Sequence, residues 1–129
     1  MLFRSVKVLS SSQIHFDSPG YYNIQFSVQL SNSDNAPQDI DIWFRKNGSD
    51  IANSNSRYGL SARKSVGDPF HTLAVANFIT NVTANDYIEL YWCTTNTNAR
   101  IEYYAAPSSP TRPAIPSVIL TATFVSGIE

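Results

Sequence analysis

Tyr21-Tyr22-Asn23-Ile24-Gln25-Phe26-Ser27-Val28-Gln29-Leu30 alternates without a break. Tyr22, Ile24, Phe26, Val28 and Leu30 fall on one face, and Asn23, Gln25, Ser27 and Gln29 on the other. A strand turns successive side chains to opposite faces, so a period of two means a β-strand with one buried and one amide-rich face. Asp17-Ser18-Pro19-Gly20 in front of it reads as a turn, since proline presets φ and glycine permits positive φ. Further back, Val6-Lys7-Val8 and Ile14-His15-Phe16 read as two short strands.

The same period recurs downstream. After a polar loop at 31–39, Ile40, Ile42 and Phe44 alternate with Asp41, Trp43 and Arg45. Asn47-Gly48 then signals a type I′ hairpin, whose two central residues need positive φ. The return strand begins at Ile51-Ala52. Residues 53–64 form a long polar connection with at most a short strand around Tyr58-Gly59-Leu60. Residues 70–82 carry Leu73, Ala74, Val75, Ala76, Phe78, Ile79 and Val82. A short helix is conceivable there, but β-branched content and the strand-rich context favour a strand buried on both faces. Residues 81–86 make a turn. In the strand 87–94, Ile88, Leu90 and Trp92 point inward and Tyr87, Glu89, Tyr91 and Cys93 outward. Another strand is expected over 99–105, with Ile101 and Tyr103 on one side. Pro107, Pro110, Pro113 and Pro116 mark an extended connector. A last strand runs over 117–125, with Val118, Leu120, Ala122 and Phe124 on one face and Ile119, Thr121 and Thr123 on the other.

About eight to ten short strands with frequent turns and no clear helix predict an all-β sandwich or jelly roll. The 129 residues suit a single domain, 1–129. Composition bounds the function. Hydrophobic residues reach 43%, enough for a core, while charged residues are only 15%, the balance being made up by Asn, Ser and Thr. A net charge of −1 and the lack of a basic stripe argue against nucleic-acid binding. No run approaches the roughly 20 apolar residues of a membrane helix, so no membrane is expected as a partner. Met1-Leu2-Phe3-Arg4-Ser5 lacks the pattern of a secretory signal. One cysteine excludes an internal disulfide, and the two histidines lie far apart, so neither a metal nor another cofactor is expected.

Three segments carry a resemblance. Gly20-Tyr21-Tyr22-Asn23-Ile24-Gln25-Phe26-Ser27 resembles the Gly-x-Tyr-x-Phe strand of C1q/TNF-like jelly rolls. Ile42-Trp43-Phe44-Arg45-Lys46-Asn47-Gly48 resembles the strand and turn that follow in that family. Asn85-Asp86-Tyr87-Ile88-Glu89-Leu90 resembles its Gly-Asp segment, with Asn85 where glycine is usual. Tyr22-Asn23-Ile24-Gln25-Phe26-Ser27 and Ile42-Trp43-Phe44-Arg45-Lys46-Asn47-Gly48, with Ala114-Ile115-Pro116-Ser117-Val118-Ile119-Leu120-Thr121, form a set that is similar to small structural proteins of tailed bacteriophages, those of cyanophages especially. The resemblance spans about Phe3 to Phe124.

It implies a jelly-roll β-sandwich assembled as a homotrimer, its axis lined by the strands 21–30, 70–80 and 117–125. Asn23, Gln25, Ser27 and Gln29, with Thr121 and Thr123, are then the trimer-interface candidates. A polar, uncharged face suits side-chain amides pairing across an axis; the plain alternative is a solvated face. Relatives have a further strand ahead of the segment matched by Phe3-Arg4-Ser5. That strand is dispensable here, supplied by a neighbouring chain, or part of a longer product.

Chemistry is poorly provisioned. Ser65, Asp68 and His71 are close in sequence, but a hydrolytic triad is defined by geometry and no Gly-x-Ser-x-Gly elbow is present. His15 reads as an ordinary outward residue, and Cys93 as a packed thiol with no basic neighbour to activate it. Carboxylate pairs at Asp39 and Asp41 or Asp86 and Glu89 show no sign of a shared cleft. Asp34, Asn35 and Asp39, or the Asp86 loop, offer oxygen ligands for calcium, against the simpler reading of solvated turns. Trp43, Tyr91, Tyr103 and Tyr104 fit either packing or a sugar-stacking surface. Arg57, Tyr58, Arg63 and Lys64 in the long polar connection are the partner-contact candidates. The sequons at Asn47 and Asn81 read as turn chemistry.

The expectation is therefore a non-catalytic virion protein on the particle surface, a trimeric capsid decoration or cement module. Its partners would be its own copies and other virion proteins of the capsid or a fibre. The alternative is the distal tip of a tail or head fibre that binds a host surface glycan. A third reading, of another class, is a soluble C1q-like lectin.

Overall fold

The structure is a computed structural model, and it describes residues 6–9 and 12–127. Met1–Ser5, including the Phe3-Arg4-Ser5 match, lies outside the described residues. All regular elements among the described residues are strands: β1 (Val6–Leu9), β2 (Gln13–Phe16), β3 (Gly20–Asn32), β4 (Gln38–Lys46), β5 (Ser49–Asp50), β6 (Ser56–Leu60), β7 (Phe70–Val82), β8 (Tyr87–Thr94), β9 (Ala99–Ile101) and β10 (Val118–Ser126). They form two antiparallel sheets. One runs β1-β2-β8-β4-β5, with β6 also on β4; the other runs β10-β3-β7, with β9 also on β3.

The chain is an all-β sandwich. Its core is where the alternation placed it. Tyr22, Ile24, Phe26, Val28 and Leu30 of β3 face Ile40, Ile42 and Phe44 of β4, all at most 4% exposed. Phe16 meets Tyr22 edge-on at 4.7 Å, and Phe26 and Phe78 each lie 5.7 Å from Phe44. The Tyr22 hydroxyl donates to the Ser18 carbonyl at 3.0 Å, so the one polar atom of that core ring is satisfied.

The turns follow their sequence signals. Asn47 and Gly48 have φ of 51° and 84°, as a type I′ hairpin needs. Asn85 has φ of 70°, a conformation that asparagine adopts more readily than most other non-glycine residues. Asn32 is fully buried at the end of β3. Its Nδ2 donates to the carbonyls of Ala36 and Ser61, and its Oδ1 accepts from the Asp34 amide at 2.9 Å. That side chain staples the polar connection to the sandwich, so residues 53–64 are ordered by β6 and by this anchor.

Several expectations need correction. β7 is not buried on both faces: Ala74, Phe78 and Val82 pack inward, but Leu73, Val75 and Ile79 are 55–62% exposed. The return strand of the hairpin is Ser49–Asp50, with Ile51 just beyond it. The strand expected over 99–105 is only Ala99–Ile101, after which Tyr104 makes a single bridge to Ile115. Trp92 points between the sheets as expected, yet it is 42% exposed. There, β1 and β10 stand apart. They leave a gap of about 840 Å³, lined by Val6, Val8, Ile14, Trp92, Val118 and Leu120, that no described residue fills.

β10 pairs with β3 on one side, and no described strand pairs with its other edge. The register and the Gln29 amide bonding to the Ser117 carbonyl fix the phase of that ladder. Antiparallel pairs alternate, so Ile119, Thr121 and Thr123 bond toward β3. Val118, Leu120 and Ala122 aim their backbone groups at the open edge.

Candidate functional site

Two surfaces hold the sequence candidates. The first is the outer face of the sheet β10-β3-β7. Cross-strand register sets Thr123, Asn23 and Ile79 in one row, Thr121, Gln25 and Asn77 in the next, and Ile119, Ser27 and Val75 in the third. All six interface candidates therefore share one face. Gln25, Thr121 and Thr123 are exposed; Asn23, Ser27 and Gln29 are half-buried. The Asn77 amide donates to Asn23 Oδ1 at 3.4 Å, a long bond between two side chains that otherwise face outward. A shallow trough of about 340 Å³ runs across the rows past Gln25, Val75, Asn77, Ile119 and Thr121.

This face is less polar than β3 alone suggests. Leu73, Val75 and Ile79 flank the amide row on one side, and Ile119 and Val125 on the other, each more than half exposed. Sequence reasoning placed Ile119 on this face with Thr121 and Thr123, but it read Leu73, Val75 and Ile79 as buried and gave Val125 no face. β7 was read by itself, and an apolar residue on the outer face of a strand looks the same as one that is doubly buried. The signal was in the register: pairing β7 with β3 puts Val75 and Ile79 level with Ser27 and Asn23.

The second surface is the outer face of the other sheet, around Trp43. Trp43 stands opposite Tyr91 in the ladder, and their rings stack at 6.1 Å and 27°. Trp43 Nε1 donates to Asp50 Oδ1 at 2.8 Å, and Arg45 Nε donates to the same oxygen at 2.7 Å. The Arg45 guanidinium also lies 4.1 Å from the Tyr91 ring centre. Next to it, Arg57 grips Asp41 with two hydrogen bonds, at 2.8 and 3.1 Å, and Asn55 adds a third at 3.2 Å. The Arg57 bond first, and the Asn55 bond with it, hold the Asp41 carboxyl below its ordinary value against the opposing effect of burial. Hydrogen bonds from Trp43 and then Arg45 do the same for Asp50.

Of the partner-contact candidates, Arg57 is thus committed to Asp41. Tyr58 packs half-buried against the core, and burial pushes its phenol up. Arg63 is half-buried, and its amide donates to the Asp34 carbonyl; Lys64 is exposed beside the tight Ser65–Asp68 turn. The structure does not gather these four residues into one patch.

The candidate chemistry is dispersed. His71 Nδ1 lies 2.9 Å from the Tyr104 hydroxyl, while Ser65 and Asp68 bond to one another through their backbones. His15 stacks on Tyr87 at 5.3 Å and bonds to Gln13. Cys93 was expected to be packed, but it is exposed and lies at the rim of the Trp43 surface. Asp34 is bonded to the Asn35 amide and to Gln38, and Asp86 to Asn47 and to the Thr83 amide. Among the described residues no three His, Cys, Asp or Glu side chains converge as a metal site. Comparison with protein-family models, with curated proteins and with solved structures yields no match for this chain.

Proposed function

We propose that this chain is a non-catalytic structural module that works as a homotrimer on a virion surface, decorating or cementing a capsid. In this reading the sandwich is a C1q/TNF-like jelly roll, and the outer face of β10-β3-β7 lies on the three-fold axis. The observation that carries it is that face: a continuous patch of half-exposed aliphatic side chains crossed by an uncharged amide row. The aliphatic groups supply the drive, at about 1 kcal/mol for each side chain that passes from half-exposed to buried. The amides supply register, because a buried amide without a partner is costly. The virion role rests on the resemblance of residues 22–27, 42–48 and 114–121 to phage structural proteins.

Two measurements test the reading. Light scattering on the purified chain should give three times the 14.3 kDa of one chain, and Val75→Asp should reduce it to one. A wild-type protein that stays monomeric at micromolar concentration would sink the trimer. Counting copies on purified particles tests the role: many on the head support decoration, a few on fibres favour a receptor-binding tip, and none removes the virion reading.

A further inference from the structure

The Trp43 surface is used neither by the core nor by the proposed interface, which lies on the opposite sheet. It forms a shallow hollow of about 300 Å³, bordered by Trp43, Asp41, Asp50, Asn53 and Asn55. That is the lower end of the size range for small-molecule sites, enough for one ring and little more. We propose that this hollow binds a single neutral sugar ring.

Three features of the hollow point there. The first is a rigid aromatic platform. The Trp43 ring is pinned at its Nε1 by Asp50 and flanked by Tyr91, so stacking against it costs little side-chain entropy. An apolar sugar face of C–H groups needs such a platform.

The second feature is charge. The hollow holds two carboxylates, but each is matched by its own guanidinium, Asp41 by Arg57 and Asp50 by Arg45. The surface is close to neutral, so neither a metal cation nor an acidic ligand is favoured. The same pairings leave carboxylate and amide groups fixed at the rim, the group types that bond to hydroxyls.

The third is Asn53. It is exposed, its backbone is held at φ of 63°, and its side-chain amide bonds to no described residue. An amide offers both donors and acceptors, and a sugar hydroxyl is both as well.

The test uses saturation transfer from the intact protein to methyl glucoside, methyl galactoside and N-acetylglucosamine at millimolar concentration. Transfer to the ring C–H protons of at least one sugar is expected in the wild type. It should persist in Trp92→Phe, whose ring lies in the inter-sheet gap instead. It should fall at least tenfold in Trp43→Ala and severalfold in Asn53→Ala. Should Trp43→Ala fail to fold, Asn53→Ala decides with backbone amide shifts, which must cluster in residues 41–55. No transfer to any of the three sugars overturns the proposal, as does transfer unchanged by Asn53→Ala. A calcium titration that moves the Trp43 indole N–H while the sugars do not overturns it in favour of a cation. The result is independent of association: a monomer that binds sugar keeps this inference and loses the trimer, and a trimer that binds none does the reverse.

Discussion

Gly20 opens β3 at φ of 153°, and a Cβ there would lie 2.7 Å from the Phe124 ring and 2.8 Å from the Ser126 carbonyl oxygen. Backbone conformation and space both demand glycine at that point. Gly20→Ala should therefore destabilise the fold by about 2–4 kcal/mol, read as a lower urea midpoint with unchanged slope. An equal midpoint would mean that β10 yields at its bulge without cost. From the sequence, Pro19-Gly20 reads as a turn, which is right but incomplete. The close approach of Phe124 comes from a strand about a hundred residues away, and no local pattern encodes it. Asn32 is similar. It reads as loop composition, yet it is fully buried and anchors three backbone groups. A local signal tells that an asparagine suits a turn, and only the tertiary fold tells that it is a staple.

At the scale of elements, the strands of alternating pattern were legible. β3, β4 and most of β8 declare both period and inward face, because one face is buried and the other is polar. β7 was not fully legible, since both of its faces are apolar and burial on two sides looks the same in sequence as burial on one. β9 is shorter than its pattern because, past the in-register bond from the Glu102 amide to the Gln29 carbonyl, the Gln29 amide goes to the Ser117 carbonyl instead and Tyr104 bridges Ile115. The Trp43 surface was half legible: its aromatics were visible, but the acid and amide groups beside them come from β4, β5 and the 51–55 loop.

Element contacts also carry a pH dependence. The β4–β5 turn is tied to the 83–86 turn by Asn47 Nδ2 donating to Asp86 at 2.8 Å and by the Tyr87 amide donating to Asn47 Oδ1 at 3.0 Å. Burial pushes the Asp86 carboxyl up. The bonds from Asn47 and Thr83, with the charge of Lys46, outweigh it, so the folded value lies below the ordinary 3.8. A carboxyl depressed by folding stabilises above its ordinary value and stops doing so as pH falls through the lower folded one. Asp86→Asn should then cost about 1 kcal/mol at neutral pH, allowing for solvent screening. The gap to wild type should narrow as pH drops below about 4. Thermal melts across pH measure it, and a gap that stays constant would assign the cost to lost packing instead.

For the molecule as a whole, the two sheets differ in what they leave uncovered. One outer face is aliphatic and amide-bearing, suited to like copies; the other is a network of paired charges around an indole. If both proposals hold, association occupies one side of the sandwich and leaves ligand access on the other, so neither function obstructs its partner.

The open edge of β10 has a consequence in time as well as in space. Amides that bond across to β3 exchange with solvent deuterium only when the ladder opens, whereas amides aimed at an unpaired edge exchange from the native state. Along β10 the protection should therefore alternate: slow at Ile119, Thr121 and Thr123, fast at Val118, Leu120 and Ala122. Uniformly slow exchange would reveal a further strand laid against that edge. The beat of protected and unprotected amides is thus a clock for whether the sandwich is finished.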